Sequence, residues 1–210
     1  MEQSYFKYNL KSHSNIDDFF VGKSNINAFN MLIKNKLNNN NFLLIGPSKS
    51  GKTHLSSIWK KKYSAIYYDN NLDIILKQDC NVLIEDIFKN INEENIFHII
   101  NHCNNKKNNI LITTSVSLNN HIFKFKDLSS RLKTFLNIKI DLPDDELLIN
   151  LMLKLFHDKQ IIVKNPEIFN YIIKRVDRSY ENVFNLINKI DILLMKKNKQ
   201  LTIPLIKELI

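Results

Sequence analysis

Eight consecutive residues carry the clearest chemistry in this sequence. Gly46-Pro47-Ser48-Lys49-Ser50-Gly51-Lys52-Thr53 satisfies the pattern GxxxxGK[ST], a loop built to hold phosphate. Its glycines let backbone N–H groups turn inward, and the N-terminus of a following helix adds its dipole. Lys52 then reaches the β- and γ-phosphates of a nucleotide, and the Thr53 hydroxyl ligates Mg2+. Further along, Asn81-Val82-Leu83-Ile84-Glu85-Asp86 is an apolar run that ends in paired carboxylates. A strand ending this way behind a phosphate loop places Glu85 as a metal ligand and Asp86 where water is polarised. Thr114 and Ser115 close another apolar run, where a hydroxyl contacts either the γ-phosphate or simply the strand end.

Arginine is the other informative residue type. The chain holds 27 lysines, 31 asparagines and 31 isoleucines, but its three arginines are confined to Arg131, Arg175 and Arg178. Only a guanidinium presents a planar fork to phosphate oxygens, so these positions are phosphate-contact candidates, with a surface ion pair as the plain alternative. His98 and His102 stand four apart beside Cys103, a spacing that could hold zinc. No HExxH glutamate and no third ligand accompany them, which leaves ordinary helix residues as the reading.

The elements that must position these groups follow from hydropathy. Apolar runs predict strands at 42 to 45, 65 to 68, 82 to 87, 110 to 113 and 138 to 142. Helical patterns lie near 24 to 37, 53 to 62, 92 to 106 and 127 to 135, with Trp59 packing the phosphate-loop helix against the sheet. Alternation of this kind predicts an α/β fold with a parallel sheet of five strands. After Pro143 the strand signal stops and four helices follow, at 144 to 157, 166 to 176, 180 to 197 and 204 to 210. Three units are therefore expected: a tail over 1–15, a nucleotide-binding α/β domain over 16–142, and a small helical lid over 143–210.

Length and composition exclude several classes. A chain of 210 residues with 44% hydrophobic and 24% charged residues can bury a core without staples. No apolar run approaches a membrane span, and the first residues lack the apolar centre of a secretory signal, so the chain is read as cytoplasmic. Cys80 and Cys103 form neither a disulfide framework nor a zinc knuckle. The net charge of +9 suggests nucleic acid, but a bias towards A/T-rich codons accounts for the lysines equally well.

Four segments together resemble the DnaA-related branch of AAA+ ATPases, and its Hda type in particular. Phe19-Phe20-Val21-Gly22-Lys23-Ser24-Asn25 is similar to the branch's F-x-V-G-x-S-N motif, and Gly51-Lys52-Thr53-His54-Leu55 to its GKTHL. Ser130-Arg131-Leu132 resembles the segment that supplies an arginine finger, and residues 175 to 210, ending in Leu201-Thr202-Ile203-Pro204, resemble the Hda lid. The resemblance implies ATP or ADP with Mg2+ as cofactors, adenine clasped at Phe20 and Val21, and His54 within the nucleotide site. It also implies a finger at Arg131 and DnaA itself as a partner, whose ATP hydrolysis the protein stimulates together with the DNA-loaded sliding clamp.

The tail residues Gln3, Phe6 and Tyr8 resemble a clamp-binding peptide, with DNA then reached indirectly through the clamp. A homodimer is left open. The chain stops at the lid where DnaA continues into a DNA-binding domain, which favours the Hda layout. Two departures stand out. Glu85-Asp86 replaces two aspartates, and the lid arginine of the branch is missing from its place near Glu181, so Arg178 or Arg175 stands in for it. A helicase-loader type of ATPase that binds single-stranded DNA and a nucleotide-locked clamp adaptor are the competing functions.

Overall fold

The computed structural model describes residues 16–37, 40–89, 92–118, 121–197 and 200–210. Its centre is a sheet of five parallel strands: β1 (Phe42–Ile45), β2 (Ile66–Tyr67), β3 (Val82–Ile84), β4 (Ile110–Thr114) and β5 (Leu136–Lys139). They lie in the order β2-β3-β4-β1-β5, so β1, which delivers the phosphate loop, is flanked on both sides. Its register pairs Leu43 with Ile112 of β4 and with Asn137 of β5.

Alternate residues of the sheet feed two separate cores, as the two-residue period of a strand requires. Phe42, Leu44, Leu83 and Leu111 face Leu55, Ile58 and Trp59 of α2 (Lys52–Lys62), together with Phe29 and Leu32. Leu43, Val82, Ile84, Ile110 and Ile112 face the other way. There they meet Ile75 of α3 (Leu72–Leu76), Ile96, Ile99, Ile100 and Cys103 of α4 (Glu93–Lys106), and Leu128 and Leu132 of α5 (Lys126–Leu132). Apolar cover on both faces explains why β1, β3 and β4 read as continuous apolar runs. Before the sheet, α1 (Ile26–Phe29) runs into one π-helical turn over Asn30–Lys34.

Four helices follow the sheet: α6 (Asp145–Asp158), α7 (Glu167–Ile173), α8 (Tyr180–Lys197) and α9 (Ile203–Lys207). Asp144 caps α6 by accepting a hydrogen bond from the N–H of Leu147. Leu148, Met152 and Phe156 of α6 join Ile168, Ile172, Val183, Ile187, Ile190 and Ile206 in a third core belonging to these helices alone. Among the described residues, no helix is long and apolar enough to cross a membrane.

Beyond small shifts at element ends, three differences from the sequence expectation have a clear local reason. β3 ends at Ile84 rather than continuing to residue 87, because Asp86 takes a left-handed φ of 49° and its N–H goes to the Thr113 hydroxyl. β5 occupies 136–139 instead of 138–142; Ile140 gives a last N–H to Ile45 O, and Asp141 then turns away to the carbonyl of Ser24. The short helix α3 lies where no helix was expected, started by the Asn71 side chain accepting from Ile74 N–H.

Candidate functional site

Between β1 and α2 the chain makes the turn that the phosphate-loop pattern requires. Lys49 and Gly51 adopt left-handed φ of 61° and 87°. A Cβ on Gly46 would lie 2.8 Å from Ser50 Oγ and 3.0 Å from Ile140 Cβ, so a side chain there collides with its own loop. Ser50 is buried, and its Oγ has no hydrogen-bond partner. An orphaned hydroxyl inside a loop of inward-turned backbone suits an anionic oxygen. Lys52 Nζ donates to the carbonyls of Gly46 and Pro47, at 2.8 and 2.9 Å. Burial pulls its pKa below that of an ordinary lysine, while Asp86 and then Glu85 pull the other way without cancelling it. Thr53 is exposed in the first turn of α2.

The carboxylate pair emerges beside this loop. Glu85 Oε1 accepts a hydrogen bond of 2.6 Å from Ser56 Oγ on α2. Asp86 is fixed through its backbone, its N–H meeting Thr113 Oγ1 at 2.9 Å. Thr114, expected at the polar sensor position, uses its hydroxyl locally: it donates to the carbonyl of Val116 and accepts from the N–H of the same residue. The threonine that touches the carboxylate pair is therefore Thr113. The Thr53 hydroxyl and the Glu85 carboxylate beside the loop are oxygen groups of the kind a magnesium nucleotide takes, so these residues fit that group. Among the described residues, no group of three His, Cys, Asp or Glu side chains could hold a metal without such a ligand.

A narrow cleft of about 80 Å³ continues from the loop towards the helical lid, bordered by Phe19, Phe20, Lys49, Ser50, Gly51 and His54 from the core. Leu147, Leu151, Lys154 and Tyr180 border it from the lid. Phe19 covers Gly51, at 3.3 Å from where a Cβ would stand, and meets the His54 ring edge-on at 5.4 Å. Asn25 braces the preceding turn by accepting from Gly22 N–H and donating to Phe20 O, both at 2.8 Å. Lys154 donates to Asp18 O at 2.6 Å, and Lys49 places its ammonium 4.6 Å from the Phe184 ring centroid on α8. Val21 is 44% exposed and does not border the cleft.

The three arginines have three different settings. Arg178 forms a two-point ion pair with Asp145 at the start of α6, at 2.9 and 3.1 Å, and does not border the cleft. Arg175 stacks on Tyr171, with Cζ 3.9 Å from the ring centroid. Arg131 is exposed in the last turn of α5, with its Cζ 5.8 Å from the Phe97 ring and no carboxylate partner among the described residues. Phe97 packs edge-on against Phe125, and Glu93 accepts the backbone N–H groups of Lys124 and Phe125, which holds α4 to the start of α5. Gln3, Phe6 and Tyr8 lie outside the described residues.

Residues that sequence reasoning passed over include Ser56, Thr113, Lys154 and Tyr180. Only Ser56 had a legible signal, as a hydroxyl set among the apolar positions Leu55, Ile58 and Trp59. His102 Nε2 lies 3.0 Å from the Gln78 carbonyl, and Cys103 is fully buried.

Comparison with known proteins agrees with this geometry. Residues 152–210 match the family described as Hda, lid domain. The chain is 24% identical, over 99% of its length, to the chromosomal replication initiator protein DnaA of Buchnera aphidicola subsp. Cinara cedri (strain Cc), and spans 55% of that relative. Its fold is similar to domain III of the Thermotoga maritima replication initiation protein DnaA, with a TM-score of 0.76 at 20% identity, covering 94% of this chain and 95% of that one. It is also similar to AMPPCP-bound DnaA from Aquifex aeolicus, with a TM-score of 0.67 at 16% identity, covering 87% and 66%. Phosphate loop, strand order and helical lid together give this chain the AAA+ fold of DnaA domain III, and its residues 152–210 are similar to the Hda lid.

Proposed function

We propose that the protein binds an adenine nucleotide and, with the DNA-loaded sliding clamp, stimulates ATP hydrolysis by DnaA through Arg131. The observation that carries this reading is the setting of Arg131. Among the described residues it is the arginine with neither a carboxylate partner nor a close ring stack, and it is exposed at the end of a helix braced by Glu93 and Phe97. A guanidinium so presented can enter another ATPase's site and stabilise charge on the transferred phosphoryl group.

In the protein's own site, the backbone from Gly46 to Gly51 and the Ser50 hydroxyl would receive the phosphates, with Lys52 turning from its two carbonyls onto them. Thr53 and Glu85 would hold Mg2+, which supplies charge neutralisation across the phosphate oxygens. Asp86 would face the attacking water, and Arg178 would have to leave Asp145, or Arg175 its stack on Tyr171, to approach the phosphates from the lid. Phe20 and His54, which border the cleft, would enclose the base, and Val21 would have to turn inward to join them. AMPPCP in the Aquifex relative supports the nucleotide reading. Gln3, Phe6 and Tyr8 would dock on the clamp, which brings DNA near without direct contact.

The test is reconstitution with DnaA and clamp loaded on DNA, following ATP turnover by DnaA. Arg131→Lys should bind nucleotide and clamp normally yet lose the stimulation, by about 10³-fold or more if the finger dominates. Near-normal stimulation at matched clamp occupancy overturns the finger and favours a clamp adaptor.

A further inference from the structure

The bond between Ser56 and Glu85 has no place in the phosphate-loop pattern, and it sits at the point where this chain departs from paired aspartates. Glu85 carries its carboxylate one methylene, about 1.5 Å, further from the backbone than an aspartate would. Ser56 is completely buried on α2, three residues after Thr53 and on the same side of the helix. Its neighbours Leu55 and Trp59 are fully buried apolar side chains, and a hydroxyl among them is costly unless bonded. The 2.6 Å separation from Glu85 Oε1 is that of a hydroxyl donating to a charged carboxylate. Ser56 Oγ also lies 3.1 Å from the carbonyl of Thr53. One hydroxyl proton cannot serve both oxygens, and the shorter contact takes it.

We infer that Ser56 is the positioning residue of the metal side of the nucleotide site. It draws Oε1 of the long carboxylate back against α2, which leaves Oε2 as the oxygen with no hydrogen bond among the described residues. Ser56 stands one helical turn after Thr53, the second oxygen ligand proposed for magnesium, so its bond anchors Glu85 to the same helix that carries Thr53. The inference rests on the nucleotide-binding reading and extends it to a residue outside the motif.

The experiment is equilibrium binding of a fluorescent ADP analogue in excess Mg2+ and in EDTA, for the wild type, Ser56→Ala, Glu85→Gln and the double variant. The ratio of the two dissociation constants reports the contribution of the metal, independently of turnover. Ser56→Ala should cut that ratio about tenfold while the EDTA value moves less than twofold, since the lost bond is to a charged group. In the Glu85→Gln background the same change should alter the ratio less than twofold. Ser56→Cys, close in size with a much weaker donor, should fall between wild type and alanine, and it carries the test should alanine fail to fold. An unchanged ratio in both Ser56 variants overturns the inference, as does equal weakening with and without Mg2+, which marks a distorted loop. A wild type that binds nucleotide with no help from Mg2+ overturns this inference alone. A wild type that binds no nucleotide overturns the nucleotide reading with it.

Discussion

The hydroxyls of Ser24 and Tyr180 meet at 2.9 Å in a buried contact between the turn before α1 and the first residue of α8. Beside it, Leu147 approaches Gly22 so closely that a Cβ there would sit 3.3 Å from Leu147 Cδ1. The seam between sheet and helices thus contains, besides the contact of Lys154 with the Asp18 carbonyl, a polar bond in an apolar setting. Tyr180→Phe leaves the Ser24 hydroxyl, 8% exposed, without that partner, at a cost of about 1–2 kcal/mol. A melting temperature lower by roughly 2–8 °C is expected, measured by calorimetry. A change below 1 °C would show that the bond contributes nothing net.

Lys52→Ala should abolish nucleotide binding. Ligand that binds only the native state raises stability by about 2.7 kcal/mol at a hundredfold excess over Kd, so ADP should raise the wild-type melting temperature and leave the variant unmoved. An equal thermal shift in both proteins would rule Lys52 out.

Gly46→Ala probes the loop itself. The new methyl would meet Ser50 Oγ and Ile140 Cβ, so the loop must open or β5 must shift. The expected result is a nucleotide affinity lower by at least tenfold with α/β secondary structure intact, read by titration alongside far-ultraviolet circular dichroism. Unchanged affinity would place the phosphates elsewhere.

Alkaline pH should weaken the fold through Cys103. Burial, reinforced by Cys80 and Asp79, pushes its thiol up to about 12 from 9.0. The folded pKa is the higher one, so this contribution is complete below pH 9 and is lost as pH rises towards 12. At pH 10.5 the loss reaches about 2 kcal/mol, and Tyr180, also raised chiefly by burial, adds to it above pH 10. Urea midpoints between pH 8 and 10.5 should fall less steeply for Cys103→Ala than for the wild type. Parallel curves would remove Cys103 from the account.

What the sequence disclosed and what it withheld divide along sequence distance. β1 and α2 lie within a residue of where hydropathy puts them, because both are long enough in pattern and the loop between them has a local signature. The five-stranded sheet and helical lid follow from the same periodicity. The end of β3 was hidden, because it depends on Thr113 capturing the N–H of Asp86 from 27 residues away. The pairing of Arg178 with Asp145 joins residues 33 apart, and nothing in the spacing of either announces it. Ser56 was legible as a hydroxyl among apolar helix positions, but its partner Glu85, 29 residues away, was not.

The two carbonyls that hold Lys52 Nζ have a consequence for how fast nucleotide is taken up. The ammonium has three N–H donors, so one remains for an arriving phosphate while the other two stay on the carbonyls. A lysine side chain reorients in picoseconds to nanoseconds, far faster than mixing, so in stopped-flow experiments the observed rate should climb with nucleotide in proportion to its concentration. A loop of this design would take up its ligand at the pace of encounter.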